Sequence, residues 1–189
     1  MKFNYRVDRR QHKIELLSSK IWLWWFMTKR FLDFASLALA TGLGVAYLTP
    51  IAKATLASAV TAVIYYVFAR SGGDISLSMI LVAAIVVIFF VGVAVSARVK
   101  SDEDPDPSKV VIDEVAGQLA AFLILAPVEW WSVLAAFLLF RLFDIVKPLG
   151  IRRLEAIPNG WGIMLDDLAA GVLAAIVINA AILIANLVI

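Results

Sequence analysis

"WWSVLAAFLLFRLFDIVKPLG", residues 130–150, begins as a membrane helix and ends as something else. From Trp130 to Phe140 no residue is charged, and the apolar run continues to Val146 around Arg141 and Asp144. Pro148 then lacks the N–H that a helix needs and clashes with the turn before it, so the helix is expected to stop short of it. About 20 apolar residues cross a bilayer as helix. The same pattern recurs at 54–70, 75–98, 110–126 and from near Asp166 to Ile189. The alternation of a membrane β-barrel is absent. The expected fold class is therefore all-α: a polytopic helical membrane protein with about five spanning helices and a re-entrant or interfacial N-terminal segment.

Composition agrees. The chain is 62% hydrophobic, and its mean hydropathy is +0.91; soluble domains are about half apolar. There is no cysteine, which removes disulfides, thiolate metal sites and a cysteine nucleophile. His12 is the single histidine and sits in a polar arm, so histidine triads and zinc helices have almost nothing to work with. Residues 1–30 carry eight Lys/Arg against Asp8 and Glu15. Beside "IWLWWFM", this basic arm reads as an anchor on an anionic lipid surface rather than a nucleic-acid binder. It is too long and too charged for a cleaved signal peptide. The expected organisation is a basic, Trp-rich interfacial arm over 1–33 and a membrane-embedded domain over 34–189.

Charge also orients the chain. Cytoplasmic loops are rich in Lys and Arg, which assigns the arm, "RVKSDEDPDPSK" (98–109) and Arg152–Arg153 to the cytoplasm. Parity then carries 110–126 outward and 130–146 back, and leaves Lys53 cytoplasmic. The apolar stretch 34–49 cannot also cross, so 34–53 is expected to be re-entrant or interfacial. Irregular backbone at that depth survives only where protein or water covers it.

This orientation gathers the unusual residues on one membrane face, in a multi-pass cytoplasmic-membrane protein whose site faces the cytoplasm. Asp113 and Glu114 open one span. Arg141, Asp144 and Lys147, spaced by three, form a stripe at the end of the next. Asp166 and Asp167 open the last helix, and Thr55 and Ser58 open the first span. Each has a plainer explanation. Asp113 and Glu114 could favour a positive helix N-terminus, Asp166 and Asp167 could be caps, and the stripe could be a structural triad. Carboxylates without histidine or cysteine suit hard cations such as Mg²⁺, and a cation–acid–cation stripe suits a metal-bound phosphate. Intramembrane acids also mark transport pathways, but these cluster near one face rather than at midplane.

Three blocks, "DPSKVVIDEVAGQ" (106–118), "FRLFDIVKPLGI" (140–151) and "GWGIMLDDLAAG" (160–171), resemble the phosphatidylglycerophosphatase A family in content, order and separation. The resemblance covers about residues 36–175. It implies a Mg²⁺-dependent membrane phosphatase that converts the phospholipid phosphatidylglycerophosphate, or a closely related polar-lipid glycerophosphate, to phosphatidylglycerol and phosphate. On matching positions it implies Asp113, Glu114, Asp144, Asp166 and Asp167 as metal ligands, with Asp113, Glu114, Asp144 and Asp167 also catalytic. Arg141 and Lys147 become phosphate contacts.

One block departs from the family. Its "P-x-A-P-G-T-x-G-S" loop is here "PIAKATLAS" (50–58), which keeps Thr55 and Ser58 as phosphate-binding candidates. Lys53 replaces a proline, and Ala54 and Ala57 replace glycines, which makes the segment more helical. Lys53 either contacts phosphate as a point charge or snorkels to the interface. The readings that compete with a phosphatase are a catalytically silent membrane partner and an ion or solute transporter.

Overall fold

The computed structural model describes residues 9–48, 52–71, 77–99, 110–126 and 128–188. All regular structure among them is helical: α1 (Arg9–Ala40), α2 (Lys53–Arg70), α3 (Leu77–Val99), α4 (Ile112–Ala121), α5 (Trp130–Val146) and α6 (Gly160–Val188), with 3-10 segments at Val45–Tyr47 and Pro148–Ala156. The chain divides into two compact units, Met1–Ala35 and Ser36–Ile189. In the first, Trp22, Trp24 and Trp25 stand exposed on α1, Trp22 stacks on Phe26, and Lys29 lies over the Trp25 ring.

The second unit is built around α4 and α6. Each helix carries an acid and, one turn later, a glycine: Asp113 and Gly117, Asp167 and Gly171. A Cβ on Gly117 would meet Phe140 Cε2 at 2.6 Å and the Asp167 carbonyl oxygen at 2.7 Å. A Cβ on Gly171 would meet the Gly117 backbone carbonyl carbon at 2.9 Å. Without side chains the two backbones approach closely, as small residues allow between membrane helices. Ala121, Phe140, Ala170 and Ala174 fill the space beside this crossing. Gly117→Val is expected to destabilise the protein by about 1–3 kcal/mol through overpacking. An unchanged melting temperature in detergent would show that the helices do not meet there.

α3 and α6 are long and apolar enough to cross a membrane. By length and hydropathy these are two such helices among the described residues, not the five expected. The expected span at 110–126 differs most. Its helix α4 has ten residues, about 15 Å of rise, half the hydrocarbon thickness. Past its end the chain turns, and Ile124 takes a φ of 60°; by sequence, Pro127 has no N–H to offer the carbonyl four residues earlier, that of Leu123. Asn179 of α6 supplies the missing donor: its Nδ2 donates to Leu123 O at 3.0 Å and to Ala175 O at 2.7 Å. The freed backbone is thus satisfied by a neighbouring helix, as an apolar setting demands. Tyr65 stacks on Phe122, centroids 4.3 Å apart, and covers the turn from α2.

The expected re-entrant or interfacial segment at 34–53 is partly helix. α1 runs on to Ala40, and "TGLG" then turns the chain with positive φ at Gly42, Leu43 and Gly44. Val111 N donates to Ala40 O at 2.8 Å, and Ala46, Ala57 and Val111 pack together. This turn and the first turns of α2 therefore adjoin the start of α4. α5 begins where Glu129 N donates to Ser132 Oγ at 3.1 Å and ends at Val146, ahead of Pro148 as expected. Residues 100–109 and Pro50–Ile51, which held the polar loop with Lys109 and the start of the departing block, lie outside the described residues.

Candidate functional site

The close α4–α6 crossing brings acids together. Carboxylate oxygens of Asp113, Glu114 and Asp167 all lie within 4.8 Å of one another. Asp113 and Asp167 are 9% and 5% exposed. Asp113 Oδ1 accepts from the Glu114 backbone N–H at 3.0 Å, inside the first turn of α4. Asp113, Asp144 and Asp166 all bear electrostatically on Asp167, so α4, α5 and α6 each deliver an acid to one place.

Several of these oxygens are buried without a hydrogen-bond partner: Glu114 Oε2, Asp166 Oδ1 and Asp167 Oδ2. Ionised carboxylates are acceptors only. Crowding them out of water is costly unless a cation pairs them. The all-oxygen donor set, with neither histidine nor cysteine, fits a hard divalent ion. Asp113, Glu114 and Asp167 are the residues placed to hold it, with Asp144 and Asp166 beside them.

Two cations flank the cluster. Arg141 NH1 lies 2.8 Å from Asp144 Oδ2, with both side chains largely buried, and Arg141 Nε has no hydrogen-bond partner. Lys147 does not complete the expected helical stripe. It caps α5 in the left-handed conformation, φ 50°, because Pro148 ends the helix there. Its Nζ instead donates to Asp166 of α6 and to Glu155. Burial pulls the Lys147 pKa down, but its bonds to the two carboxylates outweigh that and hold it above the ordinary lysine value. The ammonium therefore stays charged throughout the physiological range. It has three donors and spends two on these acids, leaving one for a ligand.

The structure unites Asp113, Glu114, Asp144, Asp166, Asp167, Arg141 and Lys147. It also removes the capping explanation for Asp166 and Asp167, since α6 starts at Gly160, well before the expected start near Asp166. Ser58 differs from expectation. It is fully buried, and its hydroxyl donates to Ala54 O at 3.0 Å within its own helix, so it offers no hydrogen to a phosphate in this arrangement. Thr55 is exposed and Lys53 half-buried at the start of α2, which is helical from Lys53 as the two alanines suggested. Two partners were not foreseen. Glu155 gave no signal among the arginines of its loop, whereas Asn179 is an amide in the middle of an apolar helix.

A family model described as phosphatidylglycerophosphatase A matches residues 38–182. A protein of Bacteroides thetaiotaomicron, named provisionally as a phosphatidylinositol-3-phosphatase, is 45% identical over 102 residues, 52% of this chain and 64% of the relative. A phosphatidylglycerophosphatase A of Haemophilus influenzae is 43% identical over 76 residues, 40% of this chain and 47% of the relative. One of Escherichia coli is 38% identical over 71 residues, 37% of this chain and 41% of the relative. The matches thus span about half the length of these relatives. No solved structure matches the chain.

Proposed function

Because the chain belongs to the phosphatidylglycerophosphatase A family, we propose that it is a membrane phosphoric monoester hydrolase whose substrate is phosphatidylglycerophosphate or a closely related polar-lipid glycerophosphate. The products are phosphatidylglycerol and inorganic phosphate. The observation that carries this is the buried three-carboxylate cluster with partnerless oxygens, flanked by Arg141 and Lys147. Asp113, Glu114 and Asp167 would hold Mg²⁺, with Asp144 and Asp166 completing the acidic wall. The ion would polarise a phosphoryl oxygen and orient an attacking water. Arg141 presents its partnerless Nε edge to phosphate oxygens in the planar geometry that guanidinium favours. Lys147, pinned by Asp166 and Glu155, adds a fixed positive charge. Lys53 and Thr55 are the α2 residues offered to the headgroup, where Lys53 supplies the charge that the family's proline cannot.

In lipid–detergent micelles the purified protein is expected to release phosphate from phosphatidylglycerophosphate with Mg²⁺ and to stop on chelation. A rate indifferent to chelation would sink the metal assignment. The name of the Bacteroides relative supports a second substrate reading, a phosphorylated inositol headgroup. Release from phosphatidylinositol 3-phosphate alone would move the assignment there.

The topology follows the same reading. Residues 1–33 form an interfacial arm on an anionic leaflet, and 34–189 form the phosphatase domain. α2, α3, α5 and α6 cross the bilayer, and α4 with its irregular continuation to Ala126 makes the fifth crossing. The site then faces the cytoplasm of a multi-pass protein in the cytoplasmic membrane. Single cysteines at Lys53 and Arg152 are expected to resist an impermeant thiol reagent in intact cells, while one at Glu129 reacts. Labelling of position 53 from outside overturns this arrangement.

A further inference from the structure

Gln118 is fully buried on α4, and neither its Nε2 nor its Oε1 has a hydrogen-bond partner. A buried amide with both ends unmade is costly, and native interiors rarely keep one. It stands four residues after Glu114, on the same helix face. Side chains on a helix lean toward its N-terminus, so residue 118 covers the turn that Glu114 occupies. Glu114 Oε2 is itself buried and partnerless. A donor without an acceptor and an acceptor without a donor thus lie one turn apart on one face.

We propose that Gln118 is a positioning residue for the acidic site: when a divalent cation binds, its Nε2 donates to Glu114 Oε2 and fixes that carboxylate for the ion. This rests on the divalent-ion reading above. Partners that orient a ligating carboxylate commonly change metal affinity ten- to hundredfold when removed. Gln118 does not touch the ion or the substrate in this role; it acts through Glu114.

The test is Mn²⁺ binding, followed by electron paramagnetic resonance on purified protein in detergent without substrate. Gln118→Leu keeps the volume and removes both polar ends. It is expected to weaken Mn²⁺ binding at least about tenfold. The metal-free melting temperature should hold or rise, because an unsatisfied amide has gone. Gln118→Asn, whose shorter amide cannot span the turn, should also bind Mn²⁺ weakly. Unchanged Mn²⁺ affinity in Gln118→Leu overturns the proposal. So does a fall in the metal-free melting temperature, which would make the amide a structural element. Because no lipid enters the measurement, failure to hydrolyse phosphatidylglycerophosphate would leave this result standing. Absence of Mn²⁺ binding by the unaltered protein would overturn it together with the metal reading.

Discussion

Asp167→Asn is expected to leave a folded protein that hydrolyses its lipid phosphate roughly a thousandfold more slowly, a loss of about 4 kcal/mol from transition-state stabilisation. Asparagine keeps the shape and volume of the side chain but loses the charge that a divalent ion needs. Asp167 is the choice among the acids because Asp113, Asp144 and Asp166 all act on it, and its Oδ2 is buried without a donor. Removing one negative charge from that crowd relieves like-charge repulsion. The metal-free protein should therefore melt no lower than the original. A structural role predicts the opposite pair of results, near-normal turnover in whatever protein survives and a lower melting temperature. Phosphate release and a thermal melt on the same preparation separate the two.

Arg141→Leu is expected to cost about 3–5 kcal/mol of stability, because it strands Asp144 as a buried charge with its cation gone. It should also lower kcat/KM by about a hundredfold through loss of charged hydrogen bonds to phosphate. The two effects can be pulled apart. With both side chains largely buried, the double variant Arg141→Leu/Asp144→Leu replaces the pair with apolar volume and should regain most of the stability. Its turnover should stay low, since the phosphate contact is still missing. Recovery of turnover along with stability would show that the pair only holds α5 together.

The helical class, the stop before Pro148 and the gathering of acids beside Arg141 were legible in the sequence. Charge and proline report local events, and apolar run length reports the solvent. The length of α4 was not legible in the same way, because a buried apolar run looks alike whether or not its hydrogen bonds continue. The turn after Ala121, and the distant Asn179 that serves the Leu123 carbonyl there, are not written in the run itself. Counting in threes puts Lys147 on the Asp144 face, but its own left-handed backbone sends it to α6 instead. The start of α6 was hidden by "NGWG", which reads as a turn. Gly160 is helical and bare because the α3 backbone passes so close that a Cβ would meet the Val93 carbonyl carbon at 2.9 Å. Ser58 kept its place in the motif, yet a hydroxyl inside a helix can turn back to its own carbonyls, and sequence position does not reveal that choice.

α4 cannot enter a bilayer on its own merits. Ten residues with two acids in the first turn lack the apolar length that membrane insertion reads. In the proposed topology it would be carried in as one arm of a hairpin whose other arm is α5. Its main packing partner, α6, is also the last of these helices to be synthesised. Until α6 arrives, the Leu123 carbonyl has no Asn179, and Gly117 faces no opposing backbone. The acidic site is consequently a late product of biogenesis. A nascent chain arrested before α6 should display α4 to proteases and to insertion chaperones, and should bind no divalent ion.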